Sequence, residues 1–405
     1  MAMNIKNAAK NLEDVKEMNL SLIIKLMQKM KICSRAELAA ASGLRQSTIT
    51  NIMNELIQCG MVSETGNIKG RKGRRSIAIS LNSQAFKVIG IRLTRTCFMV
   101  GRFDIAGNED CVDTISIGAE QSAEAVIADI EKVLEHMIVT CNEKILGIGV
   151  AVPGPLIISE ERIVFMTGRS GWENVRFRKY FADKFQIPVF IEHDANAGVL
   201  AEWWFGYNNL ERGTFVYVAA GQGIGVGIAV DGKVLHGALG IAGELGHMSV
   251  DYKGPQCQCG NRGCLELYCS ILSMIKNIND GILKGIPSML SVNSTIQQIA
   301  EAVASHDKLA TEVFERTAWF LGFGLASFVN LYNPDTIIIG DELSIMGDRL
   351  LEIVTQTIKS HVLAEIYENL QVRFTSFQRD PALIGAVALA VDKALLKPSS
   401  ILGGE

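Results

Sequence analysis

Apolar residues between positions 20 and 30 fall at Leu22, Ile23, Leu26, Met27 and Met30, a spacing that predicts a helix. The stretch SRAELAAASGLRQSTITNIMNELIQCGMV follows. Ser34 and Glu37 have the spacing of a capping box, which predicts a short helix. Gly43 suits a turn that needs positive φ, and Leu44 re-enters the core. Ser47 is the expected N-cap of a second helix that reaches Cys59 and stops at Gly60. Leu38, Ala39, Leu44, Ile49, Ile52 and Leu56 face inward in this reading, and small Ala39 lets the two helices cross closely. Short polar side chains at Gln46, Thr48, Thr50, Asn51 and Asn54 point outward.

Two strands are expected next, Met61–Glu64 and Ser76–Leu81, joined by TGNIKGRKGRR. Helix, turn, helix and strand pair together predict a winged helix-turn-helix over residues 1–81. Its outward polar residues, with Arg45 and Ser47 beside them, suit base edges in a major groove. Arg71, Lys72, Arg74 and Arg75 sit among glycines and suit phosphates or a narrow minor groove. The plainer alternatives are a protein-binding winged helix and a solvated run of charge.

Beyond residue 82 the pattern changes to buried strands and longer helices. Val88–Leu93 and Phe98–Asp104 read as a hairpin, with Ile105–Asn108 leading to a third strand. Ala123–Cys141 reads as a helix, and Ile145–Val152 and Pro188–Glu192 as buried strands. Phe215–Ala219, Gly225–Val230 and Thr336–Gly340 are further strands, and Trp319–Leu331 is a helix. Strand hairpins followed by helices occur twice, near 88 and near 215, which predicts two similar α/β lobes with a ligand cleft between them. Two charge-free stretches, Gly213–Val230 and Ala318–Pro334, raise the question of a membrane span. Five glycines in the first and the Asn-rich end of the second favour core elements instead.

The formal net charge of −4 conceals an asymmetry. Residues 1–80 carry 13 Lys+Arg against 6 Asp+Glu, and the remainder carries 26 against 37. A basic head on an acidic body adds weight to DNA binding by the head. Nine cysteines and a start, MAMNIKNAAKNLED, without an apolar signal core imply reduced thiols in a cytoplasmic protein. Cys33, Cys59, Cys97, Cys111, Cys141 and Cys269 are expected to be ordinary buried small residues.

Metal chemistry is concentrated in GELGHMSVDYKGPQCQCGNRGCLE, residues 243–266. His247, Cys257, Cys259 and Cys264 lie within eighteen residues and offer one imidazole and three sulfurs, the donor set of a closed structural Zn²⁺ site. Gly260 and Gly263 allow the tight turns that bring Cys259 and Cys264 to one ion. Glu244 and Glu266 flank the cluster and are free to accept hydrogen bonds from a polyol.

The order ExGH then CxCGxxGCxE, here Glu244–His247 and Cys257–Glu266, resembles the ROK family (repressors, open reading frames and sugar kinases). The likeness in motif order runs over roughly residues 20–390. It implies an actin-like, hexokinase-like two-lobed domain behind the winged head. Lobe 1 is then 82–195 with 385–405, and lobe 2, with the metal site, is 196–384. In ROK kinases a D-x-G-x-T turn holds the ATP phosphates and metal. Here that turn is Arg92-Leu93-Thr94-Arg95-Thr96, so the acid has become a cation and the glycine has a side chain. The second phosphate loop reads Gly221-Gln222-Gly223-Ile224-Gly225 and has lost its hydroxyl. The late Gly-Gly reads Gly340-Asp341, followed by Glu342, and carboxylates there repel phosphate.

On the sugar side the resemblance implies ligand contacts from Gly154, His193, Asp194, Glu244, His247 and Glu266. Asp194 matches the family's catalytic base, but without ATP it becomes a hydroxyl acceptor only. His247 can face zinc with one ring nitrogen and sugar with the other. His193 and Gly168 replace amides of the relatives, so the ligand is expected to differ from common hexoses. Structural roles stay open: Asp194 as a helix cap and Glu244 as a partner for loop amides. The reading that results is a sugar-controlled transcriptional repressor, not an enzyme, binding palindromic operator DNA as a homodimer or tetramer. An ATP-dependent sugar kinase with a regulatory head is the alternative, and a body that senses a transport protein is a third.

Overall fold

The computed structural model describes residues 12–69, 75–207 and 213–396. Its first helix, α1 (Leu12–Met30), is longer than the stripe at 20–30 suggests. Leu20, Ile23, Ile24 and Met27 carry its buried face, while Leu22 is turned to solvent. β1 (Ile32–Cys33), α2 (Arg35–Ser42) and α3 (Gln46–Gln58) follow. The capping box forms as expected: the Ser34 hydroxyl accepts the Glu37 amide at 3.3 Å, and Glu37 accepts the Ser34 amide at 2.8 Å. Gly43 has φ 72°. Helix α3, however, starts earlier than predicted. Arg45 is its N-cap, with no side-chain cap, and Ser47 lies within the first turn. The Arg45 carbonyl already accepts the Ile49 amide at 3.1 Å, so burial of Leu44 and Ile49 fixes the frame and the serine hydroxyl does not.

β2 (Val62–Lys69) and β3 (Arg75–Leu81) form the wing and run further toward its tip than the predicted strands. β1 pairs on the other side of β3, which gives a three-stranded antiparallel sheet. Arg71, Lys72 and Arg74 lie outside the described residues. Arg75 is described only through its backbone, as the start of β3.

The first lobe contains β4 (Phe86–Leu93), β5 (Cys97–Asp104), β6 (Glu109–Ser116), α4 (Ala123–Val139) and β7 (Lys144–Val152). A small hairpin, β8 (Leu156–Ile157) and β9 (Arg162–Ile163), then leads to α5 (Phe177–Phe185) and β10 (Val189–His193), after which α6 (Asp194–Trp204) crosses over to lie on the second sheet. Residues 105–108 form the turn before β6, held by Asp104, which accepts the Ala106 and Asn108 amides at 2.9 Å each. The second lobe contains β11 (Thr214–Ala220), β12 (Ile224–Val230) and β13 (Lys233–Val234), then α7 (Glu266–Cys269), α8 (Ile271–Leu283) and α9 (Ile296–Ala304). It continues with α10 (Lys308–Tyr332), β14 (Thr336–Gly340), α11 (Asp348–His361), α12 (Ala364–Tyr367) and β15 (Gln371–Phe374), after which α13 (Pro381–Leu396) returns to lie on the first sheet. The expected helix at Trp319–Leu331 is thus only the apolar half of α10, which Asp307 caps through the Ala310 amide at 2.9 Å.

The sheet orders are β6-β5-β4-β7-β10 and β13-β12-β11-β14-β15. Numbered by appearance, both read 3-2-1-4-5, so the internal repeat is real. β4 and β14 are buried throughout; β14 is the near-continuous apolar run of a strand covered on both faces, while β4 also buries Lys87 and Arg92. Cys33 and Cys269 are buried, but Cys59, Cys97, Cys111 and Cys141 are only half-buried, contrary to expectation. Their strand or loop positions face partly outward. Among the described residues, no helix is long and apolar enough to cross a membrane.

Helices α6 and α13 pack against each other between the sheets. Glycine makes this possible. A Cβ at Gly149 on β7 would lie 1.8 Å from the Ala386 carbonyl of α13, and one at Gly385 would lie 1.8 Å from the Ala197 carbonyl of α6. One apolar cluster then continues from Phe86, Leu383 and Val391 into Leu20, Ile24 and Leu56 of the head. Gly149→Ala should therefore force β7 and α13 apart. The expected loss is about 1–3 kcal/mol in a urea unfolding titration; an unchanged midpoint would mean that α13 can back away freely.

Candidate ligand cleft and metal cluster

Between the lobes lies a cleft of about 410 Å³. Strand ends and helix starts supply its polar groups, the usual place for a ligand in open α/β sheets. The C-terminal end of β10 presents His193, and the start of α6 presents Asp194. Glu244 and His247 follow β13, Glu266 opens α7, and Gly154 follows β7. All six sequence-predicted sugar residues line this one cleft. His193 Nε2 lies 3.2 Å from Asp194 Oδ1, and His247 Nε2 lies 3.8 Å from Glu244 Oε2. Burial pushes the Glu244 carboxyl up, against the opposing pull of His193 and His247. Asp194 lines the cleft as the first residue of α6 and is not its cap, a place that His193 holds: Oδ1 accepts the Ala195 amide at 2.7 Å, and Oδ2 accepts from Arg92. Gly154 has φ 80°, and a Cβ there would lie 2.4 Å from the Phe165 carbonyl. That close approach alone requires glycine, whatever binds beside it.

The opposite wall is closed on itself. Arg92, buried at the end of β4, donates to Asp194 Oδ2 at 3.0 Å, and its Nε lies 3.5 Å from Asp380 Oδ1. Burial would lower the guanidinium pKa, but Asp194, Asp380 and Asp341 together raise it above the ordinary value. Burial likewise works against ionised Asp194, yet Arg92 and then His193 hold its carboxyl below the usual range. In the neighbouring turn the Thr94 hydroxyl accepts the Thr96 and Cys97 amides at 3.3 and 2.9 Å. Those amides are no longer free for a phosphate. Across the cleft the Gln222 amide of the second glycine loop turns to the Glu342 carboxylate, and a Cβ at Gly221 would lie 2.3 Å from Glu342 Oε2.

Asp341 sits at φ 62°, ψ −167°, a conformation glycine adopts readily and side chains avoid. Its carboxylate accepts the Tyr217 hydroxyl at 2.8 Å. Burial, then Asp380, push its pKa up to about 7, with Arg92 opposing and Asp194 and Glu342 adding to the rise.

His247, Cys257, Cys259 and Cys264 bring their donor atoms within 4.8 Å of one another. Cys259 and Cys264 sulfurs are 3.6 Å apart, and Cys257 Sγ is 3.7 Å from His247 Nδ1. Sulfurs about 2.3 Å from a tetrahedral ion lie roughly 3.8 Å apart, so the cluster fits such a metal with little movement. Nδ1 faces the sulfurs and Nε2 faces Glu244, which divides the ring between metal and cleft. Glu266 links the two: Oε1 lies 3.4 Å from His247 Nδ1 and 3.3 Å from Cys257 Sγ.

On the head, Arg45, Gln46, Ser47, Thr50, Asn51 and Asn54 are exposed and Thr48 is half-buried. They lie along α3, although Thr50 also donates to the Gln46 carbonyl at 2.9 Å. Sequence reasoning missed two contributors to the cleft and one pair behind it. Arg95 reaches toward Glu266 and Gly223. Asp380 caps α13 by accepting the Leu383 amide at 3.0 Å; its signal was Asp-Pro before an apolar run. Glu192, behind His193, accepts the His193 amide at 2.9 Å and lies 2.8 Å from His236 Nε2 of the other lobe. No local pattern announces that last pair.

Fold and cleft define the class: an actin-like two-lobed protein of sugar-kinase architecture that carries a winged helix-turn-helix head. The chain belongs to the ROK family, whose model matches residues 88–393. It is 30% identical to the xylose repressor of Caldicellulosiruptor bescii over 392 residues, which is 95% of this chain and 98% of that protein. It is 28% identical to the DNA-binding transcriptional dual regulator NagC of Escherichia coli, over 95% of each chain. Among solved structures, a ROK family transcriptional regulator, a homologue of the E. coli MLC protein, matches with TM-score 0.82 and 27% identity, over 96% of this chain and 100% of the other. The ROK family glucokinase of Streptomyces griseus, solved with glucose and AMPPNP, shares the fold of 74% of this chain at TM-score 0.65.

The Asp341 environment generates a pH prediction. Unfolded, the carboxyl titrates near pH 3.9; folded, it keeps its proton to about 7. Between these values the folded state binds more protons, so this group's contribution to stability is lost as pH rises. Asp341→Asn should gain on the wild-type protein by at most about 1.4 kcal/mol per pH unit across that window in urea titrations. A difference independent of pH would mean that Asp341 is ionised throughout.

Proposed function

We infer that this protein is a DNA-binding transcriptional repressor of a carbohydrate-utilisation operon, and that a sugar bound in the cleft controls it. It is a regulator and not an enzyme. One observation carries this reading. The groups that would cradle phosphates are taken by the chain's own side chains, Thr94, Glu342 and Arg92, while the hydroxyl-binding side stays furnished with Glu244, His247 and Glu266. Similarity to a xylose repressor and to the N-acetylglucosamine repressor supports it.

In this reading Asp194, His193 and the flanking glutamates accept or donate hydrogen bonds to sugar hydroxyls, and Gly154 lets the backbone approach. The cluster of His247, Cys257, Cys259 and Cys264 holds Zn²⁺ as a structural ion, which supplies rigidity and fixes the His247 tautomer. Exposed α3 residues read bases, and Arg71, Lys72, Arg74 and Arg75 contact the DNA backbone or minor groove. The division is head 1–81, lobe 1 82–195 with 385–405, and lobe 2 196–384. A cytoplasmic homodimer or tetramer presents its heads to a palindromic operator, matching symmetry to symmetry. Sugar favours one lobe closure, which alters head spacing. A complete switch needs about a 10⁴-fold preference of sugar for the DNA-free form.

The test is a titration of full-length protein with an operator duplex selected from a random-sequence pool, in the presence of D-xylose, D-glucose, N-acetyl-D-glucosamine and their phosphates. At least one should change operator affinity. ADP release from ATP with the same panel would instead establish the kinase reading, for which Asp194 is the one favourable residue. Asn51→Ala should cost about 1–3 kcal/mol of specific operator binding and relax base preference at one position. If affinity and preference are both unchanged, α3 is not the recognition helix. Cys259→Ser should lose metal by mass spectrometry and lose sugar response before DNA binding. A metal-free variant with a normal response would separate the ion from the pocket.

A further inference from the structure

Two helices run from the cleft to the head, and each is gripped at both ends. At the cleft, Arg92 holds Asp194, the first residue of α6, and Asp380, the cap of α13. At the far end a single ammonium, Lys25 on α1, lies 2.9 Å from Asp392 of α13 and 5.5 Å from the ring centre of Trp204, the last residue of α6. Its charge also complements the C-terminal end of the α6 dipole.

The two helices are seated on different lobes. A Cβ at Gly227 of β12 would lie 2.1 Å from the Ala195 carbonyl, and one at Gly198 would lie 2.3 Å from the Tyr217 ring, so α6 is seated closely on the second sheet. Gly149 gives α13 an equally close seat on the first sheet. Between the helices the contact is close and extensive: near the cleft it is made of small residues, Ala197 against Ala382, Gly385 and Ala386, and toward the head Leu200 and Trp204 join Ala388 and Leu389 in one apolar cluster. The small residues near the cleft leave no side-chain ridge against a slight slide of one packed helix along another, the shear form of domain movement, while the larger ones keep the helices together at the head.

We propose that Arg92 and Lys25 are positioning residues that convert a change of lobe closure at the sugar cleft into displacement of the head. This rests on the sugar-controlled reading above. A hydroxyl accepted by Asp194 competes with Arg92 for the same carboxylate. α6 then follows the second lobe while Asp380 keeps α13 with Arg92 and the first. Lys25 spans the far ends of both helices, so their relative shift is transmitted to α1 and, through the shared apolar cluster, to α2 and α3. Neither residue contacts DNA or completes the sugar's hydroxyl set in this scheme. They set how strongly the two sites feel each other.

The experiment measures operator affinity of the full-length protein with and without each sugar of the panel, sugar affinity alone, and hydrogen exchange of α1 on adding sugar. Lys25→Met keeps the stem over Trp204 and removes the charge. It should keep sugar affinity and sugar-free operator affinity within about 3-fold, while the ratio of operator affinities falls from the ~5–150-fold usual for coupled sites to about 1–2. The change in α1 exchange on sugar binding should vanish with it. Arg92→Lys, which keeps a cation but not the forked reach to two carboxylates, should restore folding relative to Arg92→Ala and leave the ratio reduced. Wild-type coupling that survives unchanged in both Lys25→Met and Arg92→Lys overturns the inference and leaves the repressor reading intact. Loss of sugar binding itself in Lys25→Met also overturns it, because the residue would then be supporting the cleft. Absence of any sugar effect in the wild-type protein removes the repressor reading, and the inference with it.

Discussion

A buried guanidinium surrounded by carboxylates sets the terms for the rest of this molecule. Arg92 lies 3.0 Å from Asp194 and 3.5 Å from Asp380. A charge taken out of water needs partners of this kind, and removing one partner from such a set typically costs about 3–5 kcal/mol. The network therefore constrains everything attached to it: β4, the start of α6, the cap of α13, and Asp341 across the cleft. It also fills the end of the cleft where a nucleotide's metal and phosphates would need acidic ligands and free amides. Chemistry and architecture are linked here, because the cation at the end of β4 is neutralised by the carboxylates that it joins.

Asp341 shows how tightly that network holds its members. It keeps a backbone conformation suited to glycine, φ 62° and ψ −167°, although it carries a side chain. Such a residue costs about 1–3 kcal/mol and persists when its surroundings hold it there. The Tyr217 hydroxyl and the Arg92 charge supply that hold. The opposite wall is built differently. Glu244, His247 and Glu266 stand between the cleft and the metal cluster, so one rigid loop shapes the ligand side and anchors it to the second lobe.

Much of this was legible in the sequence because the signals were local. The capping box at Ser34, the turn at Gly43, the strand at Thr336–Gly340 and the His247–Cys264 spacing each rest on a few neighbouring residues with one physical explanation. The likeness of the two lobes followed from the repeated strand hairpins, whereas their shared 3-2-1-4-5 strand order depends on pairings between distant segments and was not legible. Ser47 misled because cap preference competed with the burial of Leu44 and Ile49, which set the α3 frame. The first half of α10 was hidden by Lys308, Glu312, Glu315 and Arg316, whose charges break the apolar run that marked its second half. Partners distant in sequence left no trace at all. Nothing near Lys25 points to Asp392, and nothing near Glu192 points to His236.

The central claim is that a kinase-shaped cleft retains its carbohydrate side and has given up its nucleotide. Calorimetric titration of one protein sample, first with magnesium-ATP and then with the sugar panel, tests it most directly. The account predicts no heat of binding for ATP and saturable heat for at least one sugar. Saturable binding of ATP, or of no sugar, would contradict it.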